Sequence, residues 1–384
     1  MRLLKRLFIL MYKAALALAA LLLLALWGVT LFGRGSLMPP GWVAVLSTLL
    51  PYLYAGLFLF CLVLLCVARN KMLVVMMASL LISFLLLWGG LLIPRKINPP
   101  TDTEPIKVMV WNVQRMGEFT GHGQSIARQV QCVSQVIRQE HPEIIALLEI
   151  TYDQLLALQK QLGIPQDHCL WSDYYGTGQQ RFGGLATCLF DRNNALMISH
   201  RRELNLPPNW KYLFIEVQHA RNKLTFPINV LALHIAPPEI PPDEVMRILA
   251  NMVSGQKQGF TQAIKLLKRY EQKVMLQGTQ AGNALQVIGR FRDPTIMAGD
   301  FNSTQDAALH VRFRQSLRDT WATAGFGFGA TRHWADFLPL RIDYIYVTKE
   351  FAVQDSQTLS CDCSDHLPVV SSVFLMPAAI QETK

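Results

Sequence analysis

The first 96 residues contain no aspartate and no glutamate, against nine lysines and arginines. The remaining 27 basic residues and all 27 acidic ones fall in residues 97–384, which therefore lack any net charge. The whole-chain charge of +9 and the pI near 9.2 belong to the N-terminal part alone. That removes the usual argument for a nucleic-acid binder. The large C-terminal part has no net positive field with which to neutralise a polymer of phosphates, and only a local basic patch is left open. No internal repeat of short period is present, which excludes a solenoid or a propeller. Cysteine is sparse, with seven in all, five of them after residue 96. "CDC" (Cys361–Cys363) has no second cysteine pair with which to build a zinc site, so packing or one disulfide is expected there. Partners cannot be read from spacing.

Charge is also missing from three long stretches, and these are what the N-terminal part consists of. Ala14–Phe32, Gly41–Ala68 and Met72–Pro94 are wholly uncharged, the second carrying Pro51. About 20 apolar residues cross a bilayer core, so each suffices for a transmembrane helix. A cleaved signal peptide would have a shorter apolar core and no further spans behind it. Arg2, Lys5, Arg6 and Lys13 precede the first span, Arg69 and Lys71 separate the second and third, and the loop between the first two has only Arg34. This bias places the N-terminus in the cytoplasm and everything after Lys96 outside it, with Arg95 and Lys96 a small counterweight. The expected layout is a three-span anchor over 1–96, a Pro- and Thr-rich linker over 97–105, a catalytic domain over 106–377 and a tail over 378–384.

Past the linker, strand and helix patterns mix. Ile106–Val113, Glu143–Ile150, Gly184–Phe190, Ala195–His200, Tyr212–Gln218, Leu224–Ile235, Arg341–Val347 and Leu367–Leu375 read as strands. Pro227 suggests a bulge or an edge within its strand. Helices are expected over Ser125–Gln139, Pro242–Tyr270 and Asp306–Gln315. Consecutive strands without helices between them exclude a regular βαβ alternation and point to an α/β sandwich of mixed sheets with helices outside.

Five strand ends carry polar groups where packing asks for none: Asn112 in "VMVWNVQ", Glu149 in "IIALLEI", His234 in "VLALHIAPP", Asp300 and Asn302 in "MAGDFNST", and Asp343 in "RIDYIYV", followed by Asp365 and His366 in "SDHLPVV". Singly, each reads as a turn cap or a satisfied core residue. As a set they do not, because a carboxylate inside an apolar run needs a partner or a cation. Side chains two apart on an extended chain face the same way, so Asp300 and Asn302 aim at one spot while Phe301 packs behind. Gly299 admits a close backbone approach. An Asp–His pair beside carboxylate and amide oxygens suits a hard cation, Mg²⁺ or Mn²⁺ rather than Zn²⁺, and phosphate ester hydrolysis.

The blocks "WNVQ", "LLEI", "LALHIAPP", "AGDFNST", "RIDYIYV" and "SDHLPVV" stand in the order of the endonuclease/exonuclease/phosphatase superfamily, which the chain resembles from Ile106 to Leu375. The resemblance implies a four-layer α/β sandwich, two mixed β-sheets flanked by helices, here preceded by three transmembrane helices. It implies metal ligation by Glu149, with Asn112 and Asp365 beside the ion. It implies His366 as base or phosphate contact oriented by Asp343, Asp300 and Asn302 positioning water and phosphate, and His234 on the phosphate. Leu148 stands where the family often has Gln. The interval from His234 to Asp300, 66 positions, is long and contains Lys257, Lys265, Lys268, Arg269 and Lys273. It reads as an extra surface helix or as a basic lid over anionic headgroups. Arg247 is a candidate phosphate contact. Three spans followed by this domain resemble a bacterial membrane subgroup that includes a teicoplanin-resistance protein. That likeness implies a multi-pass inner-membrane enzyme with its domain outside the cytoplasm. The bilayer is its partner, and its substrate is a phosphodiester or pyrophosphate, lipid-linked in preference to nucleic acid. A membrane-tethered nuclease is the alternative, mildly favoured by His234, and a degenerate scaffold the third reading.

Overall fold

The computed structural model describes residues 2–36, 38–93, 105–114, 126–173, 183–190, 196–206, 210–221 and 224–376. The linker 97–105, apart from Pro105, and the tail 378–384 lie outside the described residues. The chain opens with α1 (Arg2–Gly35), α2 (Gly41–Thr48), α3 (Leu50–Val67) and α4 (Lys71–Trp88). Three helices are long and apolar enough to cross a membrane, over Lys5–Gly35, Leu50–Val67 and Lys71–Leu92. Their outward side chains, Leu24 and Leu86 among them, are apolar and exposed.

The second of these is shorter than its sequence suggests. The uncharged run Gly41–Ala68 breaks at Leu49, and Pro51 takes a position in the first turn of α3, where its missing N–H costs no hydrogen bond. Gly41–Thr48 thus becomes a separate short helix. It packs beneath the long helix described below, with the Gly41 Cα so close to the Leu267 carbonyl that a Cβ would overlap it.

The rest of the chain runs β1 (Ile106–Asn112), α5 (Ile126–Glu140), β2 (Ile144–Ile150), α6 (Tyr152–Leu162), β3 (Cys169–Asp173), β4 (Gly184–Leu189), β5 (Leu196–Leu206), β6 (Trp210–Arg221) and β7 (Leu224–His234). It continues with α7 (Pro242–Val253), α8 (Lys257–Ile288), β8 (Thr295–Asp300), α9 (Ala308–Ser316), β9 (Arg318–Asp319), α10 (Thr320–Ala324), β10 (Arg332–Trp334), β11 (Leu338–Leu340), β12 (Asp343–Val347), β13 (Phe351–Thr358) and β14 (Val369–Leu375). Two six-stranded mixed sheets form, in the orders β13-β14-β1-β2-β4-β3 and β5-β6-β7-β8-β12-β9, with β10-β11 a separate hairpin. Each sheet holds one parallel pair at its centre, β1 with β2 and β7 with β8.

Period-two alternation decides which face each residue serves. Val108 and Val110 of β1, Ala146 of β2, Val230 and Ala232 of β7, and Ala298 of β8 fill the core between the sheets. Their neighbours Met109, Trp111 and Leu147 turn outward onto Val133 and Ile137 of α5. Leu231, Met297 and Tyr346 turn outward onto Ala281 and Ala284 of α8 and Phe313 of α9. The layers are therefore helix, sheet, sheet, helix. Burying each such Val, Leu or Ile contributes about 1.5–3 kcal/mol.

Pro227 is a local edge without a bulge. It pairs in register with Gln218 of β6, but β8 begins to pair with β7 only at Asn229, so the lost N–H faces no partner strand. The helical stretch expected over Pro242–Tyr270 is two helices reaching Ile288. Neither an extra surface helix nor a free lid describes α8. Its C-terminal half packs on the second sheet, while Tyr270 and Val274 pack on Ala44 of α2. At 32 residues it spans about 48 Å and acts as a strut between sheet and anchor. Two of its basic residues are committed to ion pairs, Arg269 with Glu244 and Lys273 with Glu239. Arg34, at the end of α1, and the Trp88 indole, at the end of α4, both donate to the buried Asp306 carboxylate. Disulfides join Cys132 to Cys363 and Cys169 to Cys188, leaving Cys361 free in the "CDC" segment.

Candidate active site

The four central strands β1, β2, β7 and β8 end at one rim of the sandwich, and the antiparallel β12 and β14 start there. Hence residues 23 to 188 positions apart in sequence meet. Across the second sheet His234, Asp300 and Asp343 stand in line by register. From the first sheet, the Asn112 amide nitrogen donates to Glu149 Oε1 at 2.9 Å and to Asp300 Oδ2 at 3.1 Å. His366 Nδ1 lies 2.9 Å from Asp343 Oδ2, and its Nε2 lies 3.9 Å from Asp300 Oδ2. His234 Nε2 lies 3.5 Å from Asp300 and 2.9 Å from the Asn302 amide nitrogen. Asp300, Asp343, His234 and His366 are buried.

Glu149 reaches this rim through an irregularity. Ile144, Ala146 and Leu148 face the inner core, so strict alternation would turn Glu149 toward the outer helices. Instead the β2–β4 pairing slips between Leu148 and Ile150, and Glu149 takes a left-handed φ of 55°. Such bulges re-aim side chains near functional sites, at a strain of about 1–3 kcal/mol. Gly183 makes room, since a Cβ there would come within 3.0 Å of the Glu149 backbone.

Asn302 and Asp300 do converge, but not by continued extension. The strand ends at Asp300, Asn302 adopts φ 48°, and its backbone N–H donates to Asp300 Oδ1 at 2.7 Å in a side-chain-closed turn. The turn carries the Asn302 amide to His234 and to the Ile235 carbonyl, 2.9 Å away. Phe301 is fully buried, edge-on to Phe313 and Tyr344. A Cβ on Gly299 would overlap the Leu233 carbonyl.

The loop bearing His366 is pinned from three sides. Ser364 Oγ donates to the Asn112 carbonyl at 2.8 Å, and the Trp111 indole donates to the His366 carbonyl at 2.9 Å. The Cys132–Cys363 disulfide ties the loop to α5. Asp365 turns away from Asp300 and pairs with Arg332 at 2.9 Å. Arg247 is exposed on α7. No contact found among the described residues joins it to the cluster.

Electrostatics separate the two central carboxylates. Burial would raise both. Around Asp300, His234, His366 and the Asn302 N–H outweigh burial and pull the carboxyl below its ordinary range. Asp343 has less compensation and stays raised, because burial and the neighbouring Asp300 charge oppose its His366 contact. Burial would lower His366, but Asp343, Asp300 and Asp365 together lift it to about 9. His234 is raised for the same reason, Asp300 and Glu149 overcoming burial.

The site also fits a metal ion. One donor atom each from Asp300, Asp343 and His366 falls within 4.8 Å of the others, and Asp343 Oδ1 is buried with no hydrogen-bond partner. Two adjacent buried carboxylates call for positive charge between them. Glu149 adds an oxygen donor at the same spot, while Asn112 presents its amide nitrogen there and its Oδ1 accepts from the Gln114 N–H at 3.0 Å.

Several supporting residues were not foreseen. Thr331 Oγ1 accepts from the Ile342 and Asp343 N–H groups, and no sequence signal marks it. Arg341 forms a buried bidentate pair with Asp319, and its place within "RIDYIYV" could have drawn notice. His310 sits behind the Asp300 turn, its ring nitrogens 2.8 Å from Tyr346 Oη and 3.0 Å from Ser303 Oγ. Burial, then the Arg314 and Arg341 charges, hold His310 well below the usual imidazole range. Below about pH 6.5 the unfolded chain binds a proton that folded His310 refuses. Its contribution to stability is therefore constant above that pH and declines as pH falls. Thermal midpoints of the purified chain measured from pH 7.5 to 5 should drop, and His310→Gln should flatten part of that slope.

Residues 274–366 match the Endonuclease/Exonuclease/phosphatase family. The match takes in Asp300, Asn302, Asp343, Asp365 and His366. The two mixed sheets with flanking helices are the α/β fold of that family, as solved structures show. The catalytic domain of human Nocturnin, solved with a bound sulfate anion, is 18% identical, covers 70% of this chain and 93% of its own, and gives a TM-score of 0.50. An endonuclease/exonuclease/phosphatase family protein from Bacteroides thetaiotaomicron is 14% identical, covers 72% of this chain and 99% of its own, and also gives 0.50. At these identities the likeness is one of fold. No curated protein matches the chain in sequence.

Proposed function

We propose that this chain is a membrane-anchored, divalent-metal-dependent phosphoric ester hydrolase acting outside the cytoplasm on a lipid-linked phosphate. Members of the matched family hydrolyse phosphoester bonds. The observation that carries the reading is the convergence of Asp300, Asp343 and His366 with Glu149 and Asn112 at one rim. In this reading Glu149 and Asp300 hold Mg²⁺ or Mn²⁺, which would supply charge neutralisation at the phosphoryl oxygens, and Asn112 stands beside the ion with its amide nitrogen on both carboxylates. Asp343 orients His366, leaving Nε2 toward the cluster to hold or move the proton. Asn302 and His234 position the phosphate, and Asp300 directs the attacking water.

Anchorage and orientation rest on the three apolar helices and their charge bias. Arg34, the start of α3 and the end of α4 lie on the domain side, while Ala68, beside Arg69 and Lys71, meets Tyr12 toward the start of α1. Two disulfides accord with an oxidising compartment. The reading is supported by the resemblance of three apolar helices followed by this domain to the bacterial membrane subgroup that includes a teicoplanin-resistance protein. Against the nuclease alternative stands the mostly apolar lining, among the described residues, of the cavity beside the Asn302 turn.

The test is hydrolysis of a lipid pyrophosphate, a phospholipid and plasmid DNA by the full chain with and without Mg²⁺. Chelation should abolish turnover and Mg²⁺ restore it, and Glu149→Ala should lower it by about 10²–10³-fold. Full activity in that variant would sink the metal-site assignment.

A further inference from the structure

A cavity beside the site has a volume of about 710 Å³, well within the range of ligand pockets. One part of its wall is the turn Asn302–Thr304, the phosphate side of the candidate site, together with Arg332. The rest is apolar: Val45 and Leu49 at the α2–α3 junction, Met246 and Leu249 of α7, and Trp334 and Phe337 of the β10–β11 hairpin. A neighbouring cavity of about 470 Å³ shares Thr48, Thr304 and Leu340 with it and is walled by Ala55 of α3 and Phe84 of α4. Both of these belong to helices long and apolar enough to cross a membrane. The two cavities thus adjoin, one reaching the flank of two such helices and the other the Asn302 turn.

The geometry points to this groove as the binding site for the hydrocarbon chain of a lipid phosphate, with the α2–α3 junction supplying one wall. The inference rests on the hydrolase reading above and names what that reading leaves open. A water-soluble phosphate ester would have no use for Leu249 and Phe337, left 48% and 68% exposed at the groove. Nor would a nucleic acid find there more than Arg332, already paired to Asp365. A chain entering from the bilayer side would cover these apolar surfaces and bring its phosphate to Asn302. In consequence the anchor is part of the substrate site and not only a tether.

Two measurements on the full chain in lipid nanodiscs test this. In the first, phosphatidylglycerol bearing a diazirine midway along one acyl chain is irradiated and adducts are mapped by mass spectrometry. Adducts within 242–253 and 332–340 are expected, cut at least fivefold by Leu249→Trp, which fills the groove. Val253→Trp, on the same helix, 89% exposed and outside the groove, should leave them in place. Adducts confined to α1, α3 and α4, or equal in both variants, would overturn the proposal. In the second, the ratio of kcat/KM for a long-chain phosphodiester to that for bis(p-nitrophenyl) phosphate should fall at least tenfold in Leu249→Asp and hold in Val253→Asp. An unchanged ratio in Leu249→Asp counts against the groove. The photolabelling needs no turnover and is repeated in Asp300→Asn. Absence of hydrolysis in the wild type would end the hydrolase reading, while the adduct map still decides the groove.

Discussion

Asp343→Asn should reduce kcat on any phosphoester substrate by on the order of 10³–10⁴-fold, with a much smaller change in KM. The His366 ring is held by one carboxylate oxygen at 2.9 Å, and Trp111 and Ser364 fix only its backbone and loop. An amide in that place cannot stabilise an imidazolium, and one of its two orientations presents an N–H to Nδ1 and selects the wrong tautomer. The lift of His366 to about 9 depends first on Asp343, once burial is overcome, so the variant should also lose that elevation. The sign is specific. Wild-type His366 gains a proton on folding that stays until pH rises through about 9, and Asp343→Asn moves that limit toward the acid side. A pH–rate profile in which the alkaline limb does not move would show that Asp343 is structural only.

The largest effect on stability is expected at Asp319. Its carboxylate caps α10 through the Trp321 and Ala322 N–H groups and pairs with Arg341, and both side chains of that pair are almost wholly buried. Asp319→Ala removes the cap and leaves a guanidinium buried without a counter-charge. Breaking such a pair costs about 3–5 kcal/mol. For a domain of this size that is a fall in thermal midpoint on the order of 10 °C. The double variant Asp319→Leu with Arg341→Leu should recover most of the loss, since no unpaired charge remains. A double variant no more stable than Asp319→Ala alone would place the contribution in the cap.

The sequence showed the central strands plainly, because β1, β2, β8 and β14 are buried on both faces and are mostly apolar. It was silent at the two edges of the first sheet, though it found the edge strand β5 of the second. β3 and β13 bound the first sheet, and each mixes polar with apolar residues because one flank meets solvent. The site residues were visible as polar interruptions of apolar strands. How they meet was not. Glu149 depends on a register slip and Asn302 on a turn, and both φ values are products of tertiary packing. The break at Leu49 was masked in another way, since α2 and α3 share one uncharged composition. The supporting residues were hidden because Thr331 and His310 act through partners 7 to 36 positions away.

The clasp of Arg34 and Trp88 on Asp306 has a mechanical corollary. Asp306 lies four residues beyond Asn302, and the same junction is held by the Leu91 carbonyl accepting from Gly327 N–H, by Tyr52 on the Pro339 carbonyl and by α2 lodged under α8. These contacts join the helices to the sandwich at several points. The height of the rim above the helices is set by these contacts and not by the reach of residues 97–105. Lengthening that segment would leave the reactive centre at the same altitude, and severing it would not let the sandwich drift free.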